Sequence, residues 1–167
     1  MRVLLRPLRP EDAEPITRLL ENDLEGISRT FRIPWPFTLR DAEEWLAKVL
    51  TDQHTFAILT GQSEFAGCIG ARESVSGDLL EIGYWVGSPF RRQGVAKQAL
   101  GLLLTHLRAH TKAKRAEAQV FPGNEGSIRV LQSHGFRPTG EIEKNVPLRG
   151  GLRTVLVFAL DLTDLLE

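Results

Sequence analysis

One turn constrains the fold of this chain more than any other feature: Phe90-Arg91-Arg92-Gln93-Gly94-Val95-Ala96. The segment before it, Leu79 to Val86, is rich in apolar and β-prone residues, which predicts a strand. Beyond the turn, apolar residues recur at the spacing of one helical face, at Ala96, Leu100, Leu103 and Leu107. A strand, a glycine-containing turn and a long helix therefore follow one another.

A helix that begins at such a turn is suited to bind an anion. Its first backbone N–H groups have no partner within the helix, and they lie at the positive end of the helix dipole. Gly94 allows the backbone to approach a ligand closely, and Arg91 and Arg92 add charged donors. We therefore expect a phosphate-bearing ligand at this turn.

The turn lacks the two best-known glycine-rich phosphate motifs. The chain contains neither G-x-x-x-x-G-K followed by Ser or Thr nor G-x-G-x-x-G, which argues against a nucleoside triphosphatase or a dinucleotide site. Arg91, Gly94 and Ala96 instead follow the pattern Arg or Gln, two residues, Gly, one residue, Gly or Ala. This pattern resembles the pyrophosphate-binding signature of the GNAT acetyltransferase superfamily.

A second segment, residues 123–136, resembles the family pattern in which Asn, Ser and a final Gly-Phe enclose a helix. Asn124 is expected to cap this helix with Ser127 at its third position, and Gly135 to end it. Together with Glu81-Ile82-Gly83-Tyr84-Trp85-Val86, the chain resembles the branch of ribosomal-protein N-terminal-alanine acetyltransferases. The resemblance extends over nearly the whole chain, and residues 79–136 carry its specific motifs.

The resemblance implies acetyl-CoA as cosubstrate, without a metal. In the family, two neighbouring parallel strands splay apart and bind the pantetheine arm, here with Val86 as a main partner. The residues expected to bind the cosubstrate are Trp85, Val86, Arg91, Arg92, Gln93, Gly94, Val95, Ala96, Asn124 and Ser127.

The implied reaction is direct attack of a primary amine on the thioester, and its acceptor is the open question. A lysine has a reference pKa of ~10.4 and an α-amine one of ~7.7 to 8.0, so an α-amine needs only a modest base at neutral pH. Glu81 is the first candidate for that base, acting directly or through water. Trp35, held between two prolines, and Tyr84 are the candidates for acceptor contacts.

The departing thiolate requires a proton or a hydrogen bond. Many family members place a tyrosine near it, but Tyr84 is the only tyrosine here and none follows Phe136. Ser127 is the remaining hydroxyl at a family position that contacts the sulfur. Two alternatives to an N-terminal acetyltransferase stay open: an acetyltransferase for a small-molecule amine, and a CoA-binding sensor without catalysis.

Composition and residue spacing argue against several other classes of function. Lys plus Arg and Asp plus Glu number 21 each in 167 residues, so no net basic field favours nucleic acid. No apolar run approaches the ~20 residues of a membrane span, and the start shows no signal peptide, which predicts a cytoplasmic protein, monomeric or homodimeric. Cys68 is the only cysteine, and the four histidines lack metal-ligand spacing.

The order of predicted elements is βααβββαβαββ. It predicts one α/β (α+β) domain over residues 1–167, with a single mixed, largely antiparallel sheet of six to seven strands flanked by about four helices. The predicted strands are 2–8, 54–60, 64–73, 79–86, 115–120, 136–146 and 154–161. The predicted helices are 11–22, one capped by Thr38, one after Gly94, and 124–134.

Overall fold

The computed structural model describes residues 2–163, which form one seven-stranded sheet with helices on both faces. The strands are β1 Val3–Pro7, β2 Thr55–Thr60, β3 Phe65–Glu73, β4 Leu79–Val86, β5 Arg115–Val120, β6 Arg137–Val146 and β7 Gly151–Asp161. The helices are α1 Ala13–Leu20, α2 Leu24–Ser28, α3 Leu39–Val49, α4 Val95–His110 and α5 Glu125–Ser133.

The sheet has the order β1-β2-β3-β4-β5-β7-β6, and every neighbouring pair is antiparallel except β4 and β5. The predicted mixed and largely antiparallel sheet is therefore confirmed. Helix α4 connects the two parallel strands, as a crossover between parallel neighbours requires.

Local sequence accounts for most helix ends. Thr38 caps α3, because its side chain accepts from the backbone N–H of Asp41 while the Asp41 carboxylate accepts from the N–H of Thr38. Helix α1 begins at Ala13 after a 3₁₀ turn at Pro10–Asp12. Pro15 therefore lies in the first turn of α1, where a backbone N–H would have no partner within the helix. Helix α2 was not predicted, since its five residues include Gly26 and are too short to show a period.

Two apolar clusters lie on opposite faces of the sheet. Leu80 and Ile82 of β4 belong to the larger cluster, which packs against α4 and α5. Trp85 packs against the second cluster, which lies under α1 and α3 and includes buried Cys68. Since side chains alternate along a strand, Glu81 shares its face with Trp85, and Tyr84 lies on the face of α4 and α5.

Strands β4 and β5 pair over only half of β4 and two thirds of β5. Their parallel ladder joins Leu79–Ile82 to Arg115–Ala118 and then stops, although β4 continues to Val86 and β5 to Val120. The predicted separation of the two strands is thus present as a gap in the middle of the sheet. Among residues 2–163, no helix is long and apolar enough to cross a membrane.

Candidate active site

The β4 side of the gap presents backbone groups that lack a strand partner. The N–H of Gly87 donates to the carbonyl of Ala66 at 2.8 Å, which fixes the alternation of the β3–β4 ladder. Tyr84 and Val86 therefore occupy its non-hydrogen-bonded positions and direct their N–H and C=O groups away from β3, toward the gap. An extended amide-containing ligand can pair there as an added strand.

The start of α4 has the features of an anion site. Gly94 has φ of 79° and Arg92 has φ of 60°, so the turn before the helix contains two residues in the left-handed region. Within the described chain, no side chain caps this helix, and its first intrahelical bond runs from the N–H of Gln98 to the carbonyl of Gly94. The preceding N–H groups of the first turn are thus oriented toward a ligand.

The two arginines of the turn have different surroundings. The Arg91 guanidinium forms an ion pair with Asp23, the cap of α2, and its Nε donates to the carbonyl of Val86 at 3.0 Å. Arg91 therefore ties α2 to the end of β4 instead of projecting toward a phosphate. Arg92 is exposed beside the helix start, whereas the side chain of Gln93 donates to the carbonyl of Pro89 at 2.9 Å.

Tyr84 and Ser127 meet at the gap. The Tyr84 hydroxyl lies 2.8 Å from Ser127 Oγ, although the two residues lie on β4 and α5. Burial raises the pKa of Tyr84 from 10.0 to about 12, and the hydrogen bond with Ser127 offsets part of that rise. The Tyr84 hydroxyl therefore stays protonated at neutral pH.

The cap of α5 is the side chain of Asn124, which accepts from the backbone N–H of Ser127 at 3.4 Å. The predicted cap is confirmed. The Ser127 hydroxyl takes no part in it, because its partner is Tyr84. Ser127 therefore has a side chain that can act on a ligand without loss of the helix cap.

A cavity of about 660 Å³ extends from the loop between α2 and α3, through the gap, to Asn124 and Ser127. Glu81 lines it, with a side chain that is 39% exposed and 4.0 Å from the Arg32 guanidinium. The cavity thus connects the face of Glu81 with the face of Tyr84 and Ser127. The Glu81 carboxylate and the hydroxyl pair are therefore reachable from one partly open cavity.

The loop side of this cavity differs from the sequence-based expectation. Trp35 is 43% exposed and is not part of the cavity wall. The neighbouring residues Phe31, Arg32, Ile33, Pro34 and Phe37 form the wall instead. Trp85, expected at the cosubstrate, lines the cavity on the Glu81 face and packs against the α1–α3 cluster.

Gln119 is a cavity residue that the sequence analysis missed. It lies on β5 just beyond the last β4–β5 pair, and its buried Oε1 has no hydrogen-bond partner among the described residues. An unsatisfied buried oxygen at a ligand gap is a position where a ligand N–H would be accepted. In the sequence, Gln119 is marked only as a polar residue at an otherwise apolar strand end. Such residues are too common to indicate a ligand site.

The remaining reactive groups do not form a second centre. Burial raises the pKa of the Cys68 thiol, which disfavours the nucleophilic thiolate. Among residues 2–163, no group of three or more His, Cys, Asp or Glu side chains could hold a metal ion.

Comparison with known protein families identifies the chain that carries this anion site, gap and hydroxyl pair. Residues 2–137 match the family profile described as an acetyltransferase (GNAT) domain. The chain belongs to the GNAT acetyltransferase family. This part of the chain is accordingly an acetyl-CoA-dependent N-acetyltransferase domain.

Individual relatives support the GNAT assignment. A probable N-acetyltransferase of Bacillus subtilis is 30% identical over 102 residues, which cover 59% of this chain and 56% of that protein. This chain therefore spans little more than half the length of that relative.

Two solved GNAT structures share the fold. RimL, a ribosomal alpha-N-protein acetyltransferase in complex with coenzyme A, has a TM-score of 0.83 and 20% identity, covering 95% of this chain and 93% of that chain. Spermidine N-acetyltransferase from Vibrio cholerae, in complex with coenzyme A and spermine, has a TM-score of 0.81 and 17% identity, covering 96% of both. The same architecture thus occurs in proteins with different acceptors.

Proposed function

We propose that this protein transfers the acetyl group of acetyl-CoA to a primary amine, and that the acceptor is the α-amine of a peptide N-terminus. The observation that carries the proposal is the single cavity that joins Glu81 on one face of the sheet to Tyr84 and Ser127 on the other. Donor and acceptor would meet at the gap between β4 and β5.

The cosubstrate would be held by backbone groups for most of its length. The helix start at Gly94 and the exposed Arg92 suit a pyrophosphate, and the gap-facing groups of Tyr84 and the N–H of Val86 suit the amides of a pantetheine arm. Val95 is buried beneath the turn, while Ala96 follows it in the helix, so both support its shape. Arg91 and Asn124 contribute by fixing the two helix starts.

The acceptor amine must lose a proton before or during attack. Glu81 is the carboxylate on the loop side of the gap, and we assign it the role of general base, acting directly or through water. The nearby Arg32 guanidinium orients this carboxylate. A single partly exposed carboxylate is sufficient for an α-amine, whose reference pKa is ~7.7 to 8.0.

The leaving thiolate would receive a hydrogen bond from Ser127. Its hydroxyl can donate toward the sulfur while it accepts from the Tyr84 hydroxyl, because a serine oxygen has one donor and two acceptor positions. The tyrosine that the sequence lacked after Phe136 is thereby replaced by one from β4. A hydroxyl pair at this position supports an enzyme over a CoA-binding sensor without catalysis.

A second acceptor class is a small-molecule amine. Among the described residues, the cavity lining holds five carboxylates and five lysine or arginine side chains, so its charge is balanced overall, and a polyamine would have to bind at individual carboxylates such as Asp52 or Glu81. The structural neighbour that carries spermine is consistent with such an acceptor. A small polycationic amine is therefore the alternative to a peptide.

Release of free thiol from acetyl-CoA distinguishes these acceptors. We would compare a peptide with a free N-terminus and no lysine, the same peptide blocked at the N-terminus with one internal lysine, and spermidine. The proposal predicts the highest kcat/KM for the first peptide. Preference for the blocked peptide, or turnover of spermidine alone, would overturn the peptide N-terminus as acceptor.

A further inference from the structure

Arg149 connects the C-terminal hairpin to the loop that forms the acceptor wall. It lies in the 3₁₀ turn Pro147–Arg149 between β6 and β7. Its Nη2 is 2.6 Å from the carbonyl oxygen of Ile27 and 2.5 Å from that of Ile33, and 3.2 Å from Thr30 Oγ1. One guanidinium nitrogen thus holds both ends of the segment 27–33.

Several contacts fix the shape of this segment, and Arg149 joins its two ends. After Ser28 it has no helix or strand until α3 begins at Leu39, so its backbone conformation depends on contacts with other elements. Ile27 and Ile33 pack in the α1–α3 cluster, and Thr30 donates to the carbonyl of Ile27. Phe31 packs edge-to-face on Phe121 with ring centroids 4.8 Å apart. Of these contacts, only the Arg149 guanidinium bonds to the backbone at both ends of the segment.

The same segment carries the inner wall of the acceptor cavity. Phe31, Arg32 and Ile33 line the cavity, and Arg32 approaches Glu81. A shift of the segment would move both the wall and the guanidinium beside the proposed base. The cosubstrate site at the start of α4 is linked to this region through the ion pair of Arg91 with Asp23, which lies before residue 27, so it should move less than the wall.

The surroundings of Arg149 are unusual for a cation. No carboxylate pairs with it among residues 2–163, and its buried Nε has no hydrogen-bond partner there. Burial lowers the pKa of Arg149, and repulsion by Arg153 lowers it further. A charged donor that is held by carbonyl oxygens without a carboxylate partner is suited to fixing the backbone.

We propose that Arg149 is a positioning residue for the amine acceptor, because its guanidinium fixes segment 27–33 as a wall of the acceptor cavity. The kinetic part of this inference rests on the proposed acetyl transfer, whereas the structural part does not. Arg149 acts through the segment and does not contact the reacting atoms.

The test compares Arg149→Met, which keeps an unbranched apolar stem and removes every donor, with Arg137→Met, an exposed arginine on β6 of the same hairpin. For Arg149→Met we expect faster amide hydrogen exchange in residues 28–34 and a KM for the acceptor raised at least about tenfold. The affinity for CoA, measured by calorimetry, should change less than about twofold, because its site lies elsewhere. Arg137→Met should match the wild type in all three measurements.

Unchanged exchange in residues 28–34 of Arg149→Met would overturn the inference, as would an equal loss of affinity for CoA and acceptor. If the methionine variant does not fold, Arg149→Gln decides, since its polar side chain is two bonds shorter and cannot reach both carbonyl groups. Wild-type protein that turns over no amine would contradict the proposed function, and hydrogen exchange would then still decide the role of Arg149.

Discussion

The hydroxyl groups of Tyr84 and Ser127 lie 2.8 Å apart and join β4 to α5 at the point where the sheet opens. A hydrogen-bonded pair of this kind should act as a unit. We expect Ser127→Ala and Tyr84→Phe each to lower kcat by about 10- to 100-fold, with little change in the KM for acetyl-CoA. The double variant should lose little more than either single one.

The stability of Ser127→Ala separates this role from a structural one. Since Asn124 provides the cap of α5, loss of the Ser127 hydroxyl should leave the helix intact. Asn124→Ala is the matched control, and it should lower the free energy of unfolding by about 1 kcal/mol. A normal kcat in Ser127→Ala would contradict the assigned role.

The left-handed turn at Gly94 should be sensitive to any side chain. A valine there would be strained at φ of 79°, and it would displace the N–H groups at the start of α4. We expect Gly94→Val and Arg92→Glu each to weaken acetyl-CoA binding by more than about tenfold in calorimetry. If either variant folds and binds acetyl-CoA with unchanged affinity, the pyrophosphate does not bind at this turn.

Arg91 should matter for stability more than its neighbour Arg92. Asp23 is 91% buried, and removal of its guanidinium partner would leave a carboxylate without compensation. We expect Arg91→Met to lower the free energy of unfolding by about 3 kcal/mol in urea denaturation, against less than about 0.5 kcal/mol for Arg92→Met. Gly26→Ala should behave like Arg91→Met, since an added Cβ would overlap both Arg91 Nη2 and Asp23 Oδ2.

Loss of the proposed base should be partly offset by alkaline pH. Glu81→Gln would act only on acceptor amine that is already neutral, and this fraction grows about tenfold per pH unit below a reference pKa of ~7.7 to 8.0. The ratio of wild-type to variant kcat/KM should therefore be largest near pH 6.5 and shrink toward pH 8.5. Arg32→Met, which retains Glu81, should keep the wild-type pH profile; a constant ratio for Glu81→Gln would assign the base elsewhere.

The raised pKa of Tyr84 has a consequence for stability at high pH. In the unfolded chain this hydroxyl ionises near 10.0, whereas in the folded protein it stays protonated up to about 12. The contribution of Tyr84 to stability is thus complete below pH 10 and falls as the pH rises toward 12, by at most roughly 3 kcal/mol. Urea denaturation between pH 8 and pH 11.5 should show this fall in the wild type and a smaller one in Tyr84→Phe.

Local patterns predicted the elements well where a single segment carries the signal. The strand, turn and helix around Gly94 and the caps formed by Thr38 and Asn124 depend on residues close in sequence, so they were readable. The open gap followed from the family resemblance and is present in the register of β4 and β5.

Other features depend on contacts between distant segments. Two adjacent arginines carry no local sign of which one will pair with Asp23, a residue 68 positions from Arg91. Likewise, Tyr84 and Ser127 are 43 positions apart, and alternation along β4 did not decide which face each side chain takes. Proline on both sides of Trp35 restricts the loop, but it does not fix the direction of the indole, which lies outside the cavity wall.

The interrupted pairing of β4 and β5 separates the molecule into two regions that can change independently. The turn at Gly94 and helix α5 lie with one face of the sheet, while the loop after α2 and the hairpin that holds it lie with the other. Substitutions in residues 29–37 and in the β6–β7 turn could therefore change the acceptor amine during evolution. The residues that bind acetyl-CoA could stay the same. On the proposed function, acceptor preference would depend on this loop and the hairpin turn, and loops in general vary more between related proteins than the strands they connect.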